Sequence, residues 1–251
     1  FMGLQAGEVL KQFSDLEPGD VILTNDPYST GGLATHLPDL NLIKPYFVDG
    51  ELVCFCWCFI HSADIGGKVP SSISPSSTEI FQEGLRLPPV RLFRKGVLQE
   101  DIAAVYRANC RTAELNWGDV QAMVSSLSVG EKRMAELVKQ YGLRTMLDAP
   151  EEILAYSQKR ARQALRRIPD GRYEFTDYLD NDLISDVPVR LNVVMSVEDG
   201  AVELDFSGSD LQTVGPLNLA TGGLRHPWLV LRLVSLARSY APDLTLNGGI
   251  F

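Results

Sequence analysis

The sequence contains no apolar run near the ~20 residues that cross a bilayer. Its opening, FMGLQAGEVLKQFSD, has neither the basic stretch nor the apolar core of a secretory leader. No membrane association is expected, and the cytoplasm is the expected compartment. Positive charge is in deficit: 23 Lys and Arg stand against 32 Asp and Glu, a net charge of -9. That field repels a phosphate backbone, so no nucleic-acid partner is expected. There is no G-x-x-x-x-G-K-[ST] loop, no G-x-G-x-x-G after a strand and no G-x-S-x-G elbow. Any nucleotide chemistry must therefore sit elsewhere.

Cysteine is sparse, at four residues. Cys54, Cys56 and Cys58 follow a period of two, which places all three on one face of a strand with neighbouring thiols roughly 6 to 7 Å apart. A single strand cannot fold back to bridge them, and C-x-C-x-C is not a zinc-type C-x-x-C pair. They read as small buried hydrophobes, as does Cys110.

What is present is an ordinary globular composition, 45% hydrophobic and 22% charged over 251 residues. This is enough chain for one large domain or two small ones with real cores. The chain opens at Phe1 and stops soon after an Asn247-Gly248-Gly249 turn signal, so both ends read as cuts.

Residues 4–13 suggest the tail of an amphipathic helix, and EPGD turns into the strand DVILT. LNLIKPYFV and ELVCFCWCFIH flank Asp49-Gly50, a tight hairpin signal. Residues 62–89 are rich in Ser, Pro and Gly and lack any period; their scattered apolar residues predict packing rather than disorder. PVRLF and VLQ form a short pair, and a helix is expected from Glu100-Asp101. Apolar or small residues spaced three and four apart predict one helix from Asp119 to Tyr141, ended by Gly142. Ser128-x-x-Glu131 is a competing start signal. Another helix is expected to begin at Asp148-Ala149-Pro150-Glu151. GRYEFTDYL, VPVRLNVVMSV and AVELDFSGS read as strands, and PWLVLRLVSLARSY as a final helix. The resulting expectation is an α+β fold, a mixed and largely antiparallel sheet with packed helices. Its regions are 1–110, 111–168 and 169–251, or one continuous domain.

Histidine is also scarce, with only His36, His61 and His226. His36 precedes Asp39 by three residues, and His61 ends the partner strand of the same hairpin. A regular hairpin turning at 49–50 pairs position 39 near 60 or 61, which folds His61 back beside Asp39. Two imidazoles and a carboxylate suit Zn²⁺, Mn²⁺ or Fe²⁺ and leave positions open for water or substrate. The bland alternative is a pair of hydrogen-bonded histidines. Asp64 repeats the H-x-x-D spacing and offers a further ligand, a partner for an imidazole or a catalytic acid. Glu79 and Glu83, four apart, are candidate general bases on one helical face. Asp26 is an Asx-turn residue or a ligand. His226 reads as structural.

Five segments carry a family signature: GDVILTNDPYSTGGLATHLPDLNLIKPYF, HSADIGG, SSTEIFQEGLRLPPVRLF, ANCRTAELNWGD and DFSGSDLQTVGPLN. In this order they resemble the hydantoinase B family. That family holds the B-type subunits of N-methylhydantoinases, the matching region of 5-oxoprolinases, and large subunits of acetone and acetophenone carboxylases. The resemblance implies a fragment of a larger B-type subunit in a hetero-oligomer with a hydantoinase A-type partner. The partner binds ATP and phosphorylates a small-molecule substrate, and the B-type subunit completes the reaction. It also implies a divalent metal on the T-H-x-P-D and H-x-A-D segments, which here means His36, Asp39 and His61, with a further carboxylate ligand upstream. The activity implied is ATP-dependent opening of a cyclic amide, with ketone carboxylation as the alternative. A metal-free scaffold for the partner is a third reading.

Overall fold

A computed structural model describes residues 6–223 and 225–245. The Asn247-Gly248-Gly249 signal and residues 4–5 of the first expected helix lie outside this range. The chain forms two compact units, divided at Asp148/Ala149. The first holds the chain up to Asp148 together with a short segment from Leu219; the second holds Ala149–Asn218 and the chain from Arg225.

In the first unit, helix α1 (Ala6–Leu10) precedes strands β1 (Val21–Thr24), β2 (Asp39–Val48), β3 (Glu51–His61), β4 (Val90–Arg94) and β5 (Val97–Leu98). They form one antiparallel sheet in the order β3-β2-β1-β4-β5. Alternation along the strands buries both faces. Leu23, Leu40 and Leu42 pack with Tyr106, Val120, Met123 and Leu127, while Ile22 and Ile43 pack with Val9, Leu33, Phe55 and Trp57. Tyr106 lies on α2 (Glu100–Asn109), and the other three on α3 (Ala113–Tyr141), where they recur at helical spacing. Cys56 and Cys58 pack on the α3 side of β3, and Cys58 donates to the Met123 carbonyl at 3.7 Å. All four cysteines are free; Cys110 is buried, whereas Cys54, Cys56 and Cys58 are only half-buried. β3 is an edge of this sheet, which explains the difference.

The Asp49-Gly50 turn has φ of 51° and 85°, two positive angles in succession, as a tight hairpin requires. Val48 pairs with Glu51, a register that leads to a 39–60 pair. A bulge between Tyr46 and Phe47 moves it by one, so Asp39 pairs with His61.

Two helix starts differ from expectation. α3 begins at Ala113 rather than Asp119 and runs through Ser128, whose hydroxyl bonds back to the Val124 carbonyl at 3.1 Å. α4 (Leu143–Leu165) starts directly after Gly142 rather than at Asp148, with Pro150 inside it. Half-buried Leu143, Met146 and Leu147 supply a stripe that begins the helix a turn and a half early.

The second unit contains the antiparallel meander β6 (Gly171–Leu179), β7 (Val189–Glu198) and β8 (Ala201–Asp205), with α5 (Pro227–Tyr240). Its core joins Ala161, Ala164 and Leu165 of α4 and Ile168 to Val197, Val234 and Ala237. At the β7–β8 turn a Cβ on Gly200 would lie 2.3 Å from the Arg162 carbonyl oxygen, so only glycine fits. His226 caps α5, accepting the Trp228 N–H at 3.3 Å. Among the described residues no helix is long and apolar enough to cross a membrane.

Candidate metal centre

The first unit brings His36, Asp39 and His61 together at the end of the β2–β3 hairpin. The Asp39 N–H bonds to the His36 carbonyl at 3.2 Å, closing the H-x-x-D turn. Across the ladder, the Ser62 N–H bonds to the Pro38 carbonyl at 2.7 Å, fixing the backbone after His61. His36 Nε2 lies 3.0 Å from Asp39 Oδ1, and His61 Nδ1 lies 3.3 Å from the same oxygen. The ring centroids are 4.8 Å apart. One ligand atom from each residue falls within 4.8 Å of the others, the one such cluster of His, Cys, Asp or Glu among the described residues. Atoms sharing an ion at bonds of about 2.1 Å sit roughly 3 to 4 Å apart, so small side-chain movements close this set on a cation. Two borderline nitrogens and one hard oxygen fit the divalent ions expected from the sequence.

The carboxylate is held from behind. The Thr35 hydroxyl donates to Asp39 Oδ2 at 3.0 Å, which leaves Oδ1 to the imidazoles. The Asn41 amide donates to the Asp39 carbonyl at 3.0 Å and accepts the Trp57 indole N–H at 3.0 Å. Burial works to raise the Asp39 pKa, but the hydrogen bond and charge of His36, with the bonds from His61 and Thr35, outweigh it and hold the carboxyl below its ordinary range. Burial likewise opposes charge on His36, yet Asp39, and more weakly Glu83, raise that imidazole above its usual value.

The three other candidates separate. Glu83 lies at the site: its Oε2 accepts the Leu37 N–H at 2.9 Å, one residue from His36. Burial first, and then the charge of Asp39, push its carboxyl above the usual glutamate range despite that N–H and His36. Glu79 and Glu83 do not share a helical face, because only a single 3₁₀ turn, Ile80–Gln82, stands between them and Glu79 is exposed. Asp64 is committed elsewhere. Its oxygens accept the backbone N–H groups of Gly66 at 2.8 Å and Ser71 at 2.9 Å, and Arg111 Nη1 pairs with Oδ2 at 2.9 Å.

Sequence reasoning missed Arg111, whose guanidinium also donates to the carbonyls of Gly66, Gly67 and Val69 and so organises the long loop. Its signal was its place in the segment ANCRTAELNWGD, since the helix start at Ala113 beside it was not expected. In that loop Ile65, Ile80 and Leu85 pack on the core as expected, whereas Ile73 and Phe81 are exposed. A Cβ on Gly84 would lie 2.2 Å from the Ile65 carbonyl oxygen, so glycine lets the two arms of the loop cross beside Glu83. Asp26 forms an Asx turn, accepting the Tyr28 N–H at 3.1 Å.

Known proteins share this arrangement of chain. The caprolactamase subunit beta of Pseudomonas jessenii is 37% identical over 167 residues, 66% of this chain and 28% of that protein. The crystal structure of the ATP-dependent caprolactamase from Pseudomonas jessenii superposes with a TM-score of 0.72 at 31% identity, covering 80% of this chain and 34% of that one. A nucleotide-free acetone carboxylase structure has the same fold, with a TM-score of 0.79 at 18% identity over 98% of this chain and 33% of that one. Two further curated relatives are matched over 96% and 97% of this chain, which spans 41% and 42% of their length. With the family model for hydantoinase B/oxoprolinase matching residues 1–251, the chain belongs to that family.

Proposed function

We propose that this chain carries the metal centre of a B-type subunit that opens a cyclic amide in an ATP-dependent reaction shared with a hydantoinase A-type partner. The observation that carries this reading is the convergence of His36, Asp39 and His61 on one point. Amide chemistry is favoured over ketone carboxylation because the caprolactamase structure is 31% identical, against 18% for the acetone carboxylase. A partner subunit is supported by a relative named as a subunit beta.

In this reading His36, Asp39 and His61 hold a divalent Zn²⁺, Mn²⁺ or Fe²⁺. Such an ion neutralises charge on an amide oxygen, or lowers the pKa of bound water to about 7. The chain's own groups do the rest. Thr35 and Asn41 fix Asp39, and Asp39 fixes both rings. Glu83, whose carboxyl burial raises and whose Oε2 sits one residue from His36, is the group assigned to proton transfer. Asp64 with Arg111 shapes the long loop as a lining that excludes water; neither Asp64 nor Glu79 is assigned a catalytic part.

The test is turnover by the full-length protein with its A-type partner and ATP. A lactam or hydantoin ring should open with ADP formation, and Glu83→Gln should lower kcat by about 10²- to 10⁴-fold. Turnover of acetone with bicarbonate, and of no cyclic amide, would overturn the reading.

A further inference from the structure

Arg86 lies three residues beyond Glu83, on the arm of the loop that borders the His36 turn. The Asn25 side-chain amide ties the two backbones together. Its Nδ2 donates to the Leu37 carbonyl at 2.7 Å and to the Leu85 carbonyl at 2.9 Å. His36 and Arg86 are thus each one residue from carbonyls that share a single donor.

The guanidinium is held on one edge and open on the other. Arg86 Nε pairs with Asp26 Oδ1 at 3.2 Å. Cζ lies 5.6 Å from the Tyr28 ring centroid and 5.8 Å from that of Phe81, and both rings are exposed, at 58% and 67%. Such faces favour a weakly hydrated cation and keep its plane fixed. The terminal nitrogens donate no hydrogen bond to the described residues. Asp26 is fully buried, yet its Oδ2 has no partner, and neither does Ser29 Oγ in the same turn.

A pair arranged for stability alone would meet fork to fork, engaging both carboxylate oxygens. Here the acid grips Arg86 side-on and leaves a buried oxygen orphaned, an arrangement that carries a desolvation cost. What it achieves is a positioned guanidinium with two free donors.

We propose that Arg86 is an oxyanion clamp. Its free edge takes a carboxylate or phosphoryl group of the small molecule handled at the His36–Asp39–His61 cluster, between Tyr28 and Phe81 as walls. Only the attribution of the oxyanion to that molecule rests on the proposed function.

The test is binding of inorganic phosphate and of acetate to the full-length protein, dialysed against EDTA and followed by phosphorus and carbon NMR. Wild type should bind at least one of the two saturably, and whichever binds tighter identifies the group. Arg86→Gln should weaken that binding about tenfold or more, because two charge-assisted bonds are lost. Arg86→Lys keeps the charge opposite Asp26 without the planar fork and should weaken it by roughly threefold or more. No saturable binding by wild type, or wild-type binding by folded Arg86→Lys or Arg86→Gln protein, would overturn the proposal.

Discussion

The two sheets of this chain differ in how they are covered. The five-stranded sheet is covered on both faces along its central strands, and β1 is buried at all four positions. In the three-stranded sheet every residue of β6 is exposed, and the core engages mainly the far end of the meander through Val197, Met195 and Val202. The candidate centre lies at the end of the five-stranded sheet, where a two-sided core fixes the hairpin that carries Asp39 and His61. Positional accuracy there comes from packing, because a one-residue slip would swap His61 for Ile60.

The sharpest way to break this contrast is to cut into both sheets. Leu42→Ala, at a fully buried site, should cost about 2–5 kcal/mol in urea unfolding, whereas Phe175→Ala, at 66% exposure, should change stability by no more than about 0.5 kcal/mol. Equal losses would mean that the second sheet is covered as deeply as the first.

Within the first unit, Arg111→Ala removes the partner of buried Asp64 and should cost about 2 kcal/mol. Burial tends to raise the Asp64 pKa, but backbone N–H groups and Arg111 outweigh it, so the folded value lies below the ordinary one. The stability this contributes is present above the normal aspartate pKa and is lost as pH falls through the depressed value. In Arg111→Ala the acid side of the stability profile should flatten, and an unchanged acid limb would contradict the assignment.

A smaller effect is chemical. Burial first, then the neighbouring Cys56 charge, pushes the Cys54 and Cys58 thiols up to about 11. At pH 8 iodoacetamide should therefore modify both about 100-fold more slowly than a free thiol, as read by mass spectrometry.

Much of this was legible in the sequence because short-range chemistry specifies it. Asp49-Gly50 set the hairpin, the period of two placed the cysteines, and hairpin counting brought His61 to within one residue of its partner. The remaining residue was decided by the bulge between Tyr46 and Phe47, next to Pro45, a strand proline whose bulge signal went unread. Asp64 was read as a possible ligand because its spacing copies that of Asp39. Its real partner, Arg111, lies 47 residues away, a distance at which local patterns carry no information. Glu83 reached the site through a glycine crossing rather than the helical face that its spacing with Glu79 suggested.

The most direct measurement is the metal content of the full-length protein after dialysis, in wild type and in His36→Ala, Asp39→Asn and His61→Ala. The account predicts about one equivalent of a divalent transition metal in wild type and a loss of at least tenfold in each variant. A wild-type protein that carries no stoichiometric metal while binding its partner normally, or variants that retain the metal, would contradict it.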